Sequence, residues 1–86
     1  MNPATAGLIL ESALCYEQEG NFPKAQALLE QLVAAKPDLA QAHRALARVY
    51  GRLGNIAGSE KEEKVLARIE TAGKAEGTGT GGENKQ

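Results

Sequence analysis

Three arginines spaced four residues apart are the clearest chemical feature of this sequence. Arg44, Arg48 and Arg52 recur at a spacing that places side chains on one face of an α-helix. A guanidinium donates two parallel hydrogen bonds to a carboxylate, so a row of guanidiniums is suited to the acidic residues of a partner. The spacing therefore predicts a basic helix face that binds a protein or peptide, with acidic residues preferred.

Cys15 and His43 are the only residues that resemble a catalytic nucleophile and its base. The sequence offers no acid to orient the histidine and no oxyanion site, and two residues are too few ligands for a metal ion. The glycines between positions 77 and 82 lack the strand, lysine and helix of a phosphate-binding loop. We therefore predict a protein that is not an enzyme and needs no metal or cofactor, with Cys15 a buried thiol and His43 partly buried.

The arginine row lies in a stretch that predicts an amphipathic helix between Asp38 and Gly54. Asp38 follows a proline and can cap the first N–H groups of a helix, and Gly54 can adopt the left-handed conformation that ends one. Apolar residues recur at spacings of three and four and form one stripe: Leu39, Ala42, Leu46, Val49, Tyr50 and Leu53. We expect this helix to bury the apolar stripe and to expose its basic face.

The same stretch repeats the pattern of the residues that precede it. A shift of 34 residues aligns small, aromatic, glycine and asparagine residues: Ala13 with Ala47, Tyr16 with Tyr50, Gly20 with Gly54, and Asn21 with Asn55. An internal period of this length is typical of an array of helical hairpins.

The repeated pattern resembles two tandem tetratricopeptide repeats, at about residues 6–39 and 40–73. The first unit has the small, aromatic, glycine and proline residues of that family at Ala13, Tyr16, Gly20, Phe22, Ala25 and Pro37. The second unit matches the family at Leu46, Ala47, Tyr50, Gly54 and Ile56. Ile9 and His43 stand where the family has tryptophan. The resemblance implies an all-α fold of two antiparallel helical hairpins in a short superhelix.

Caps and prolines divide the chain into four predicted helices. Helix one follows Asn2 and Pro3 and ends at Gly20, and helix two runs from residue 23 to about residue 36. Helix three is the arginine-bearing stretch, and helix four runs from about residue 56 to residue 72 and ends near Gly73. Residues 1–73 form the predicted repeat domain. Residues 74–86 are rich in glycine, lack large apolar residues and are predicted to be a disordered tail.

Helix four is predicted to expose its outer face to water. The 34-residue shift places Glu62 and Glu63 at the positions of Leu28 and Leu29, and residues 59–64 are almost wholly charged. A polar outer face is typical of the last helix of a repeat array.

Composition argues against several other classes of protein. The net charge of −1 disfavours a nucleic-acid-binding protein, and a single cysteine cannot form an internal disulfide. No apolar run approaches the roughly 20 residues of a membrane helix. The first 15 residues lack the basic region of a signal peptide. These features predict a cytoplasmic protein with neither nucleic acid nor membrane as a partner.

The resemblance also implies a binding surface, because in this family the first helix of each repeat lines a concave groove that holds an extended peptide or partner helix. The matching positions are Leu10, Leu14, Glu17 and Gln18 in helix one, and Gln41, Arg44, Arg48 and Arg52 in helix three. They predict a groove with an apolar floor and a basic ridge. The alternative is an exposed helix face whose arginines pair with Glu17 or with other carboxylates of the same chain.

Helix one suggests a second hypothesis, in which the chain self-associates. Leu8, Ile9 and their neighbours make this helix apolar on more than one side, whereas the terminal helix of an array is usually polar outside. Two repeats are also fewer than the three or so that usually form a stable stack. Packing through helix one would produce a homodimer, or would join the chain to further repeats of a longer array.

Overall fold

Four helices form two hairpins in the computed structural model, which describes residues 2–78, with side chains as far as residue 72. The helices are α1 (Pro3–Glu19), α2 (Phe22–Ala35), α3 (Ala40–Arg52) and α4 (Ile56–Thr78). α1 packs against α2, and α3 packs against α4. α2 also packs against α3, so the two hairpins stack through these middle helices. The predicted all-α fold of two tandem hairpins is confirmed.

The two hairpins turn at the same glycine–asparagine pair. Gly20 and Gly54 have φ angles of 83° and 81°, the left-handed conformation that side chains disfavour. The N–H group of each following asparagine donates to a tyrosine carbonyl of the helix just ended, over 2.8 Å in both turns. These bonds satisfy carbonyl groups that a helix end leaves free.

The asparagines of these turns also begin the next helix. The Oδ1 atom of Asn21 accepts a hydrogen bond from the N–H group of Lys24, and Oδ1 of Asn55 accepts one from Gly58. Each asparagine is therefore an N-cap as well as part of the preceding C-terminal motif. Because both roles are local, the repeat in the sequence becomes a repeat in the turn geometry.

The start of α3 differs from the prediction that Asp38 caps it. The helix begins at Ala40 with Leu39 as N-cap, and among the described residues no side chain caps it. Pro37 and Asp38 instead lie in a turn that is closed by a 3.1 Å hydrogen bond from the Leu39 N–H group to the Lys36 carbonyl. Asp38 therefore lies one residue too early to act as the cap.

α4 continues to Thr78, past the predicted end near Gly73. A glycine costs a helix about 1 kcal/mol relative to alanine, and it ends the helix only where it takes the left-handed conformation. Gly73 retains helical backbone here. Residues 74–78 of the predicted disordered tail are therefore helical, and the rest of that predicted tail lies outside the described residues. Within the described part of the chain, no helix is both long and apolar enough to cross a bilayer.

Small and branched apolar residues form a core that the two hairpins share. One buried cluster joins α1, α2 and α3 through Ala13, Ala25, Leu29, Ala45, Leu46 and Val49. A second cluster contains Ala6, Leu32 and Ala42. α2 contributes to both clusters: its fully buried leucines at positions 29 and 32 belong to the first and the second cluster, respectively. This shared core fixes α3, and with it the arginine row, relative to α1.

Candidate functional site

A depression between α1 and α3 contains most of the predicted partner-binding residues. Leu10 and Leu14 of α1 and Gln41, Arg44 and Arg48 of α3 surround a volume of about 170 Å³. The two leucines are half-buried and pack against the core, whereas the three polar side chains are exposed. The depression, called the α1–α3 groove below, has a floor of two leucines and an edge that includes two arginines.

Arg48 is held across the groove by Glu17. Its Nε and Nη2 atoms donate to the two carboxylate oxygens of Glu17 over 2.8 and 2.9 Å. The hydrogen bond from Arg48 lowers the pKa of Glu17 below its ordinary value, and the same bond raises the pKa of Arg48. The Glu17 side chain is only 16% exposed. For Arg48, the structure therefore matches the alternative interpretation, in which the arginines pair with carboxylates of the same chain.

Arg44 has a looser partner, Glu70 of α4. The Nη2 atom of Arg44 donates to Glu70 Oε2 over 2.7 Å, and the two side chains are 49% and 47% exposed. A single contact between two half-exposed ions is readily replaced by water or by another carboxylate. Glu70 was missing from the predicted site, because it is 26 residues from Arg44 and no local pattern connects them.

Arg52 does not line the groove, although it belongs to the same row. Its guanidinium carbon is 5.8 Å from the centre of the Phe22 ring at the start of α2. A spacing of four residues turns about 40° further around a helix than a full turn, so the third arginine of the row points in a different direction from the first. The groove therefore contains Arg44 and Arg48, and Arg52 covers an aromatic ring instead.

Leu8 and Ile9, the predicted self-association residues, lie in different surroundings. Leu8 is 66% exposed. Ile9 is half-buried and packs against the cluster of Ala6, Leu32 and Ala42 within the same chain. The outer surface of α1 thus contains one of the two residues, and self-association through them stays a prediction.

The Cys15 thiol is exposed, so the prediction that it is buried is wrong. The 34-residue shift aligns Cys15 with Val49, which is fully buried against α2. Among the described residues, no helix covers the equivalent side of α1. The error therefore has a geometric cause: the same position of the repeat is internal in the second hairpin and external in the first.

His43 is more deeply buried than predicted, and Glu62 was wrongly predicted to face water. They are 6% and 7% exposed, and His43 Nδ1 lies 2.6 Å from Glu62 Oε1. The other ring nitrogen, Nε2, lies 2.6 Å from the Pro37 carbonyl oxygen. A carbonyl only accepts, so Nε2 carries a proton, and Nδ1 and the Glu62 carboxyl group share another. Glu62 thus supplies an orienting acid, but neither nitrogen is left to act as a base.

Comparison with known proteins identifies a family that this chain resembles. A protein-family model described as a tetratricopeptide repeat matches residues 1–62. This range contains α1, α2, α3 and the first part of α4. No curated protein and no solved structure matches the chain.

Proposed function

The chain belongs to the tetratricopeptide repeat family, and we propose that it is a non-catalytic interaction module whose α1–α3 groove binds an extended peptide or a partner helix. Members of this family generally mediate protein–protein interaction. One observation carries the choice of site: Leu10 and Leu14 form an apolar floor directly beside the guanidiniums of Arg44 and Arg48. A partner with alternating aliphatic and acidic residues satisfies both parts of this surface.

Within the groove, Arg44 is the residue that meets a carboxylate of the partner. Its ion pair with Glu70 is exposed and has a single contact, and such pairs contribute about 0–1 kcal/mol. A partner carboxylate can therefore replace Glu70 at little cost. Arg48 keeps its two bonds to Glu17 and acts mainly by fixing the edge of the groove.

The bonding of His43 supports a non-catalytic role. Both ring nitrogens are engaged, one by Glu62 and one by the Pro37 carbonyl. The exposed thiol of Cys15 therefore lacks the histidine that would activate it as a nucleophile.

Selection from a random peptide library displayed on phage tests the proposal. We expect the wild-type chain to enrich peptides that contain leucine together with aspartate or glutamate. Arg44→Ala should weaken binding of a selected peptide about tenfold, because a hydrogen bond to a charged group contributes roughly 1.5–3 kcal/mol. Lys61→Ala, which removes a positive charge from an exposed position of α4, is the matched control. Enrichment of neutral or basic peptides, or equal effects of the two variants, would contradict the proposal.

Glu70 provides a second test of the same groove. Glu70→Gln frees Arg44 and should tighten binding of a selected acidic peptide several-fold. Glu63→Gln makes the same charge change at another exposed position of α4 and should have a much smaller effect. Fluorescence anisotropy of a labelled peptide measures both affinities. An equal gain in the two variants would show that net charge, not the contact with Arg44, controls binding.

Light scattering separates this proposal from self-association. We expect a mass of 9.0 kDa between micromolar and near-millimolar concentrations. A mass close to twice that value would instead favour a homodimer that packs through α1.

A further inference from the structure

We propose that the α1–α3 groove continues into a second pocket, which takes one large apolar side chain of an extended partner segment. The inference rests on the proposed function and goes beyond it, because it fixes the spacing between this apolar residue and the acidic residue that meets Arg44. The second pocket, called the anchor pocket below, has a volume of about 260 Å³. Most of its lining has no polar side chain: Pro3, Ala6, Gly7 and Leu10 of α1, and Leu39, the N-cap of α3.

The anchor pocket and the α1–α3 groove are continuous, because Leu10 and Gln41 line both of them. Leu10 and Leu39 pack against the smaller of the two buried clusters, so the folded core fixes the floor of the anchor pocket. Pockets for drug-sized molecules have volumes of about 300–1,000 Å³. The anchor pocket is smaller, which suits a single side chain of a partner that also lies in the groove.

The lining of the anchor pocket favours an apolar side chain over a charged one. Lys36 and Gln41 are its two polar residues, and Lys36 is half-buried at the end of α2. The positive charge of Lys36 disfavours a lysine or arginine of the partner. A partner carboxylate could pair with Lys36, but its desolvation among apolar residues roughly offsets such a pair. An apolar side chain has neither cost and removes parts of Leu10 and Leu39 from water.

Gly7 keeps the anchor pocket open. It lies within α1, where glycine is less favourable than alanine. A Cβ atom at Gly7 would meet no described atom within 4 Å apart from its chain neighbours and its own helix backbone, and its φ angle is not positive. Neither packing nor backbone conformation among the described residues therefore requires a glycine here. The missing side chain does allow another chain to approach the helix closely.

The offset between the two pockets sets the spacing of the partner residues. Gly7 and Leu10 line the anchor pocket, and Leu10 and Leu14 line the groove, so the offset along α1 is one helical turn, about 5.4 Å. In an extended segment, side chains two residues apart lie on the same face and about 7 Å apart, whereas direct neighbours face opposite sides. The long side chain of Arg44 covers the small difference. The apolar residue should therefore lie two positions from the acidic residue at Arg44.

Gln41 favours an extended segment over a partner helix. Its side chain is exposed where the two pockets meet. A side-chain amide both donates and accepts hydrogen bonds. An extended segment leaves the N–H and C=O groups between its two anchored residues free for such bonds, whereas a helix uses them internally. A helix would also present its matching side chains three or four residues apart.

The test is a phage-displayed library of short peptides in which only a central glutamate is fixed. We expect leucine, isoleucine or phenylalanine to be enriched two positions from the glutamate, on one side of it. An enriched peptide is then synthesised with a fluorescent label, and its affinity is measured by anisotropy. Replacement of its apolar residue by alanine should weaken binding about tenfold, because the contact with the anchor pocket is lost.

Two variants of the protein assign the two peptide residues to their pockets. Gly7→Leu fills the anchor pocket, so the selected peptide and its alanine variant should bind with equal affinity, while replacement of the glutamate should still weaken binding. Arg44→Ala should have the reverse effect. Gly7→Gln should act like Gly7→Leu, because it fills the pocket without adding an apolar surface.

Ser12→Leu is the matched control for Gly7→Leu. It adds the same side chain at an exposed position of α1 that lines neither pocket, and it should leave both effects unchanged. Circular dichroism checks the helix content of these variants. Leucine and glutamine are better helix formers than glycine, and leucine is better than serine, so the helices should be retained.

Three results would overturn this inference alone. The first is enrichment of apolar residues three or four positions from the glutamate, which would indicate a partner helix. The second is enrichment without any preferred spacing, and the third is an equal effect of Gly7→Leu and Ser12→Leu. In each case peptides still bind and still depend on Arg44, so the proposed function stands. If no peptide binds, or if Arg44→Ala has no effect, the proposed function fails and this inference fails with it.

Discussion

His43 and Glu62 place a polar pair where the first hairpin has an apolar one. The 34-residue shift aligns them with Ile9 and Leu28. Each of the two is less than a tenth exposed, and the distances of 2.6 Å from His43 to Glu62 and to the Pro37 carbonyl tie α3 to α4 and to the preceding turn. Burial of two ionisable groups has a desolvation cost that their mutual bond roughly offsets, so the pair favours one geometry more than it adds stability.

Exchange of this pair for the residues of the first hairpin tests that view. Glu62→Leu alone should lower the free energy of unfolding by about 3–5 kcal/mol, because it leaves a buried imidazole without its partner. His43→Ile together with Glu62→Leu should recover most of the loss. Urea unfolding of Glu62→Leu, of His43→Ile and of the double variant measures the coupling between the two residues. A double variant no more stable than Glu62→Leu would contradict the prediction.

The bond between Glu17 and Arg48 makes stability depend on pH. Arg48 lowers the pKa of Glu17 in the folded chain, so the stabilisation is complete above the unfolded pKa and is lost as the pH falls through the folded value. Glu17→Gln should destabilise the protein by up to about 1 kcal/mol at neutral pH, since Arg48 is half exposed. The difference in free energy of unfolding between Glu17→Gln and the wild type should shrink once the pH falls below about 4.

Urea unfolding between neutral pH and about pH 3, through the range where glutamates titrate, measures this difference. Glu11→Gln, at an exposed position of the same helix, makes the same charge change and is the control. If the Glu17→Gln difference were constant with pH, the bond to Arg48 would not be its cause.

At the scale of the helices, the sequence predicts where a helix ends better than it predicts which residues of different helices meet. Gly20 and Gly54 end α1 and α3 as predicted, because the left-handed conformation is a property of the residue itself. Glu17, 31 residues from Arg48, is predicted as a possible partner only because the family resemblance places it beside the arginine row, and Glu70, 26 residues from Arg44, is not predicted at all. Such contacts depend on how α1 and α4 are oriented against α3. No spacing within one helix contains that information.

Two glycines within helices should respond oppositely to alanine. A Cβ atom at Gly58 would lie 2.9 Å from Cδ2 of Tyr50 and 2.7 Å from Nδ2 of Asn55, whereas a Cβ atom at Gly7 would meet no described atom within 4 Å apart from its chain neighbours and its own helix backbone. Gly58→Ala should destabilise the protein by up to about 2 kcal/mol, because overpacking costs about 1–3 kcal/mol and helix propensity returns only about 1 kcal/mol. Gly7→Ala should stabilise it by about 0.5–1 kcal/mol.

Thermal unfolding followed by circular dichroism measures both glycine variants. Opposite shifts of the melting temperature are expected. A higher melting temperature for both would mean that the ring of Tyr50 moves aside without cost.

At the scale of the whole molecule, α2 joins the two hairpins into one cooperative unit. Leu29 and Leu32 are fully buried, and they share clusters with residues of both α1 and α3. The periodicity of the sequence predicts two hairpins, but it does not show how strongly they depend on each other. That dependence follows from the shared core, which a two-repeat chain needs because neither hairpin buries much surface alone.

Leu29→Ala should therefore destabilise both hairpins together. A cavity at a fully buried leucine costs about 2–5 kcal/mol. The backbone NMR signals of Ser12 in α1 and Lys61 in α4 report on one hairpin each, and we expect them to disappear at the same urea concentration. Gln31→Ala, at an exposed position of the same helix, should change stability by less than about 0.5 kcal/mol. Two separate midpoints would contradict a single cooperative unit.

The ion pairs of Arg44 and Arg48 change what a partner gains and loses when it binds. Glu17 holds the Arg48 guanidinium through two hydrogen bonds in the free chain, whereas Glu70 contacts Arg44 through one. Long side chains usually lose about 0.5–1.5 kcal/mol of conformational entropy each when a complex immobilises them, and for Arg48 much of that loss has already occurred. A partner carboxylate at Arg44 exchanges one ion pair for another. The affinity should therefore vary less with salt concentration than it would if two free charges met for the first time.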